Sequence, residues 1–213
     1  MKAFNIAAPN IKDGLPLRTF AEFSDYVNAC ELKEEMITGE KRDKLCFEGV
    51  YFRNMRFLSV DFSQVEFTDC VFDTCDLSNS EFIGATLHRV QFKGSKALGM
   101  NMPESHMRNV SFENCQLGLS LFRFANLNTV RFDDCDLNSV DFSENTLKKV
   151  DFNRSHINEV NFNGTSLQGI DLSNSLFDTL IVQPEYLRGC TISYVQAVGL
   201  IELFGVHVKE MRG

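Results

Sequence analysis

No apolar run in this 213-residue chain approaches the roughly 18 to 20 residues of a membrane-spanning helix. The opening stretch, MKAFNIAAPNIKDG, lacks the uninterrupted apolar core of a secretory signal peptide. A cytoplasmic protein with no membrane partner is the expectation. Basic residues are also short, with 21 Lys and Arg against 29 Asp and Glu and a net charge of −8. Gripping phosphates needs a basic face, so direct nucleic-acid binding is disfavoured and a basic partner suits the surface better. The seven cysteines are odd in number and include no CxxC or other metal-ligand spacing. In a chain this long they read as reduced thiols, with no metal site expected.

Catalytic groupings are missing as well. His88, His106, His156 and His207 fall in separate columns or outside the repeat described below, which suggests neither a metal cluster nor a His-based dyad. Ser105 and Ser155 adjoin histidines in sequence, which sends the paired side chains to different faces. The glycines form no phosphate-cradling loop. Neither an enzyme nor a cofactor is expected.

What the chain does have is a period of five. Of the 30 positions from Phe47 to Ile192 whose numbers end in 2 or 7, 15 are Phe and nine are Leu. The other six are Ala97, Met102, Met107, Ile157, Val182 and Ile192, and the register holds for 146 residues. Five is neither the 3.6 of a helix face nor the 2 of a strand. Two positions earlier sits a smaller column that also points inward, as at Val60, Val65, Cys70, Cys75, Ser80 and Ala85. It takes in Cys115, Cys135 and Cys190 too, a packing role for thiols. The remaining positions are mainly Asp, Asn, Ser, Thr, Arg and Gly, which suit turns and solvent.

Units such as VDFSQ, CDLSN, CDLNS and VDFNR resemble the pentapeptide-repeat family over about two thirds of the chain. The resemblance implies an all-β fold, a right-handed quadrilateral β-helix in which four pentapeptides make one square coil of 20 residues. Physics agrees, because one unit cannot bury its two inward side chains alone, whereas stacked coils give each a like neighbour about 4.8 Å away. Residues 20 apart then stack: Phe52, Phe72, Phe92, Phe112, Phe132 and Phe152 in one column, and Phe62, Phe82, Phe122, Phe142 and Phe162 in another, interrupted by Met102. Leu fills most of the other two. About seven and a half coils make a rod roughly 35 Å long.

Three regions follow: a cap over 1–46, the β-helix over 47–192, and a second cap over 193–213. In the first, Thr19 and Glu22 fit a capping box, and Phe20, Phe23, Val27 and Cys30 give a short helix one apolar face. In the last, a helix is expected from about Gln196 to Phe204, ended by Gly205 and followed by a short strand Val206 to Val208. Ala197, Leu200, Ile201, Phe204, Val206 and Val208 either cover the last coil or also form a two-fold homodimer contact.

The surface supplies the candidate site. Asp73, Asp76, Glu113, Asp133, Asp134 and Asp136 are expected on one acidic face, with Asp61, Glu81 and Asp141 continuing onto the next, although Lys93 and Lys96 dilute it. Arg89, Arg108, Lys148, Lys149 and Arg188 gather near a different corner. The segment Ala97, Leu98, Gly99, Met102 and Pro103 is a candidate irregularity at mid-rod, or a local packing variant. Asn145 and Glu185 sit in the inward column without an evident reason.

Within the family, the unbroken rod followed by GLIELFGVHV, together with SKALGMNM at Ser95 to Met102, resembles the quinolone-resistance (Qnr-type) proteins. That resemblance implies a DNA-mimicking homodimer that binds DNA gyrase or topoisomerase IV and protects it from quinolones, with the acidic face meeting the enzyme. Many such proteins carry loops that interrupt the rod, and here the fivefold register has none. The competing reading is a scaffold rod that presents its surface to an unrelated protein.

Overall fold

From Tyr26 onward, every parallel ladder among the described residues pairs positions twenty apart, as in Tyr26 with Cys46, Phe52 with Phe72, and Val160 with Leu180. The computed structural model describes residues 4–23, 25–42 and 44–209. It is a β-solenoid of about eight turns with one short C-terminal helix. The four sides of a coil are named here by their central inward residues in one turn: Met107, Phe112, Leu117 and Phe122.

From Glu66 to Asn153 two sides are built from strand and two from turns. The strands Glu66–Asp73, Thr86–Lys93, His106–Glu113, Asn126–Asp133 and Thr146–Asn153 each run along the Met107 side and round onto the Phe112 side. The other two sides close with tight turns, in which Ser80 donates its N–H to the Leu77 carbonyl and Ala85 to that of Phe82. Corners are uniform, because every residue numbered in 4 or 9 from Ala29 to Gly169 has a left-handed backbone, with φ between 44° and 77°. This explains why Gly, Asn and Asp, which tolerate positive φ best, hold 13 of these 29 corners.

Inside, the Phe52 to Phe152 column is one stack, with ring centroids 4.4 to 5.3 Å apart and planes within 9° of parallel. The smaller inward column has a second duty. Ser80, Ser120 and Thr165 donate their hydroxyls to the carbonyls of Phe57, Ala97 and Phe142, each 23 residues earlier, and the thiols of Cys70, Cys75, Cys115 and Cys135 take the corresponding place. Asn145 differs: its Oδ1 accepts the Ala125 N–H at 2.7 Å and its backbone N–H donates to Thr165 Oγ1 at 2.8 Å, but its side-chain Nδ2 is buried without a partner among the described residues.

The helix expected before the repeat does not form. Only Phe20–Glu22 makes a single 3-10 turn, with the Glu22 carboxylate accepting from the Thr19 N–H and hydroxyl. Tyr26–Asn28, Glu31–Lys33 and Met36–Thr38 are strands, with Val27, Leu32 and Ile37 buried in line with the Phe and Leu column. Phe20 closes the open end of the core, its ring centroid 6.3 to 6.4 Å from those of Phe47, Phe57 and Phe62. Ahead of it, residues 4–10 lie as a strap along the outside. The Phe4 ring sits 4.6 Å under the Arg131 guanidinium, and the Asn10 N–H donates to Asp69 Oδ1 at 2.8 Å.

The other end departs from the regular coil sooner than the fivefold count suggests. The unbroken series of left-handed corners ends at Gly169, with only Gly189 resuming it at φ 76°, and Pro184–Leu187 is a 3-10 helix on which Glu185 is exposed, so that residue is not inward at all. The C-terminal helix runs Tyr194–Ile201, two residues earlier than expected, and tightens into a 3-10 turn at Glu202–Phe204. Gln196 covers the last regular carbonyls by donating to Leu172 and Ser175 at 2.8 and 2.7 Å. Val206 to Val208 form no strand, since a strand needs a hydrogen-bonded neighbour and this chain supplies none there. Among the described residues no helix is long and apolar enough to cross a membrane.

Candidate partner-binding surfaces

Outward side chains stand in ladders one coil apart, so the charge of each surface can be read rung by rung. On the Phe112 side one ladder runs Arg53, Asp73, Lys93, Glu113, Asp133 and Asn153. Cations interrupt it at Arg53 and Lys93, so it is a mixed ladder rather than the acidic face expected there. Asp76 and Asp136 are not on this side but round the corner on the Leu117 side, in a ladder with Arg56, Lys96, Gln116 and His156. A pentapeptide step turns the chain by one side, which parts Asp73 from Asp76 and Asp133 from Asp136. Asp61, Glu81 and Asp141 do share the Phe122 side, in a ladder with Asn101 and Leu121.

The carboxylates also divide by partner. Arg154 bridges Asp133 and Asp134 at 2.8 and 2.6 Å, and Arg123 holds Asp141 at 2.6 Å. Asp73 takes the Tyr51 hydroxyl at 2.7 Å and Arg53 at 3.5 Å, while Lys41 lies 3.4 Å from Asp61. Arg154 keeps the Asp134 carboxyl below its ordinary range. The Ser63 hydroxyl does the same for Asp61. Burial raises the Asp141 carboxyl, but donors from Ser143 and Arg123 outweigh it and the net direction is down. By contrast, Asp76 and Asp136 only hold turn amides, those of Ser78 and Asn138. Glu81 accepts from Asn101, and Glu113 from Gln91. No cation pairs with these four among the described residues.

The Met107 side is the basic one. Its ladders include His88, Arg108 and Lys148, with Arg89 and Lys149 at the corner. Arg89 is committed to Asp69 through two 2.6 Å contacts. Sequence spacing kept the histidines apart, yet His88 and His106 line one groove with Thr86, Arg108 and Asn126. Burial, then the neighbouring Arg89 and Arg108, push His88 below its usual range.

At mid-rod the ladders run through without interruption. Ala97 and Met102 are buried, and Gly99 turns a corner at φ 63° where Asn79 Oδ1 would lie 2.7 Å from an added Cβ. Pro103 sits half-buried in a turn, and Leu98 is exposed. A packing variant describes this segment. At the C-terminus Leu200 is buried against the last coil, whereas Ala197, Ile201, Phe204, Val206 and Val208 face solvent. An apolar cleft of about 240 Å³ opens there between Leu187, Ile192, Ala197, Ile201 and Phe204.

Comparison with known proteins agrees with the geometry. The family model for the pentapeptide repeat region matches residues 65–142 and 85–162, and that for pentapeptide repeats in eight copies matches 46–82. YisX of Bacillus subtilis strain 168 is 39% identical over 130 residues, 60% of this chain and 61% of YisX, so the match spans about three-fifths of that relative. Among solved structures, HetL of the cyanobacterium Nostoc sp. strain PCC 7120 is a pentapeptide repeat protein involved in heterocyst differentiation regulation. It superposes with a TM-score of 0.63 at 14% identity, over 80% of this chain and 84% of HetL. That likeness shows the fold alone. Trypsin-treated QnrB1, a plasmid-mediated fluoroquinolone resistance protein, gives 0.41 at 20% identity, over 88% of this chain and all of QnrB1.

Proposed function

This chain belongs to the pentapeptide-repeat family, and from that premise we propose that it acts by binding rather than by catalysis, as a rod whose acidic side chains stand in for DNA phosphates at a bacterial type II topoisomerase. The observation that carries the reading is that four of the expected face's carboxylates, Asp76, Glu81, Glu113 and Asp136, have no cationic partner among the described residues, on a chain of net charge −8. Unpaired carboxylates on an acidic rod attract a basic groove, and they do so from a distance. Two rods joined through Ile201, Phe204, Val206 and Val208 would double the length of that surface, and a segment without a strand partner in its own chain is suited to pairing with its copy.

The test is gyrase-catalysed and topoisomerase IV-catalysed reactions with and without ciprofloxacin, titrating the protein from nanomolar to micromolar. Activity should recover in the presence of drug. The effect should weaken steeply with salt and vanish in an Asp76→Asn, Glu81→Gln, Glu113→Gln, Asp136→Asn variant. No effect on either enzyme at any concentration sinks the topoisomerase reading. A second reading, a scaffold for an unrelated protein, is favoured by the arginine-paired carboxylates, since Asp133, Asp134 and Asp141 carry little uncompensated charge.

A further inference from the structure

The corners of the rod are where its sequence makes one unusual choice. Left-handed backbone suits Gly, Asn and Asp and disfavours bulky apolar side chains. Gly, Asn and Asp hold 13 of the 29 corners from Ala29 to Gly169 and polar residues most of the rest, yet the large apolar Leu119 and Phe124 occupy successive corners of one coil at φ 63° and 58°. Neither gains burial in return, for Leu119 is 66% and Phe124 62% exposed. Between them lie half-buried Leu121 and an Arg123 locked to Asp141. One coil below, exposed Leu98 reaches over Gly118, whose added Cβ would meet it at 3.5 Å. Apolar side chains therefore stand at both corners of the Phe122 side and at Leu121 between them, with Arg123 beside Phe124 and Leu98 one coil below.

Glutamates flank the Phe124 end of this band, and Asp141 beside Leu121 is paired with Arg123. Glu104 and Glu144 stand one coil below and above Phe124, and Asp141 one coil above Leu121. Glu104 and Glu144 have no ion pair among the described residues. An apolar centre inside a charged rim is the anatomy of a protein-binding hot spot, where a few large side chains enter a pocket and the rim selects the partner.

We infer that Leu119, Leu121 and Phe124 are an anchor that enters an apolar cleft on a partner protein, a cleft bordered by Lys or Arg side chains that meet Glu104 and Glu144. The inference rests on the reading of the rod as a protein-binding device and is independent of whether that partner is a topoisomerase. Folding alone would favour Asn or Gly at both corners, and a membrane or nucleic acid would be repelled by the acidic rim.

The full-length protein supplies two readouts. Leu119→Asn with Phe124→Asn places a residue suited to left-handed backbone at each corner, so the thermal midpoint should hold or rise. A fall of several degrees would show that the two side chains serve the fold and would overturn the anchor. The second readout replaces Phe124 by photoreactive benzoylphenylalanine, which keeps the aromatic body, with Gln168 replaced likewise as a control on another side. Irradiation of cells making the protein should give an adduct from position 124 and not from 168. Leu119→Asn, and separately Glu104→Gln with Glu144→Gln, should each reduce it at least tenfold. No adduct from 124, equal labelling from 168, or an adduct with another copy of this chain overturns the inference. An adduct with a protein other than gyrase or topoisomerase IV, meeting the same tenfold criteria, supports the anchor and counts against the topoisomerase reading. Protection from ciprofloxacin that survives loss of both corner residues, with no adduct, leaves that reading standing and removes the anchor.

Discussion

Phe112→Ala tests the phenylalanine column most directly. The ring is 1% exposed and lies between Phe92 and Phe132 at 4.6 and 4.9 Å, with interplanar angles of 4° and 9°. Truncating a buried Phe to Ala costs about 3–5 kcal/mol, the loss of its ring pairs included. Collapse into the void is resisted, because the residues on either side of the column are pinned in ladders with the coils above and below. The expected loss is therefore near the top of the range, about 5 kcal/mol, or on the order of 10–15 °C in a chain of this size. Urea unfolding followed by circular dichroism measures it. Hydrogen exchange should locate it, rising in residues 86–93, 106–113 and 126–133 before residues 46–58, since coils of a solenoid feel their neighbours first. A loss below about 2 kcal/mol would refute the account of a rigid interior, because a column that can close the gap is not held by its ladders.

The acid limb of stability should depend on Asp69. Arg89, donating to its carboxylate, holds it below the ordinary range, with help from the Asn10 N–H. A folded value below the unfolded one, about 3.9, means the stabilisation is present above that pH and is lost as pH falls through the folded value. Arg89→Leu should therefore move acid unfolding, followed by circular dichroism, to higher pH, and an unchanged midpoint would contradict the assignment. Thiol labelling of the native protein should modify Cys46 and Cys190 first, as both are partly exposed. Cys75 and Cys70 should wait for unfolding, burial having pushed the Cys75 thiol up to about 12 and that of Cys70 higher still; rapid labelling of either would mean the interior opens easily. Ile201→Glu with Phe204→Glu should sediment as a monomer, and a persistent dimer would place the self-contact elsewhere.

How much of this was legible in the sequence varies along the rod. The interior was, because a fivefold period with 24 Phe and Leu in one column has few geometric solutions. The first coils were not. A unit with two inward residues puts apolar side chains two and three positions apart, and a spacing of three is also a helical one, so Val27 and Cys30 fitted both. Their numbering offered the deciding signal, since Val27, Leu32 and Ile37 continue the column that begins again at Phe47. The acidic face was misjudged for a similar reason. Neighbours in sequence, such as Asp133 and Asp136, sit on different sides once a corner intervenes, and neighbours in space are twenty residues away. The corners could have been foreseen from their Asn, Asp and Gly, and with them the oddity of Leu119 and Phe124. The plug formed by Phe20 could not, as it depends on where the first coil leaves its end open.

The strap formed by residues 4–10 alters what the rod does under load. Coils otherwise bond only to the coil before and the coil after, so tension applied at the C-terminus would peel them off one at a time at nearly constant force. Phe4 on Arg131, Ala7 on Asn109 and Asn10 on Asp69 tie the coil of Asp69 to coils two and three further along, which it does not touch. A peel arriving at Arg131 must break the tie before it proceeds, which divides the molecule into a C-terminal part that unwinds gradually and an N-terminal part that resists as a block.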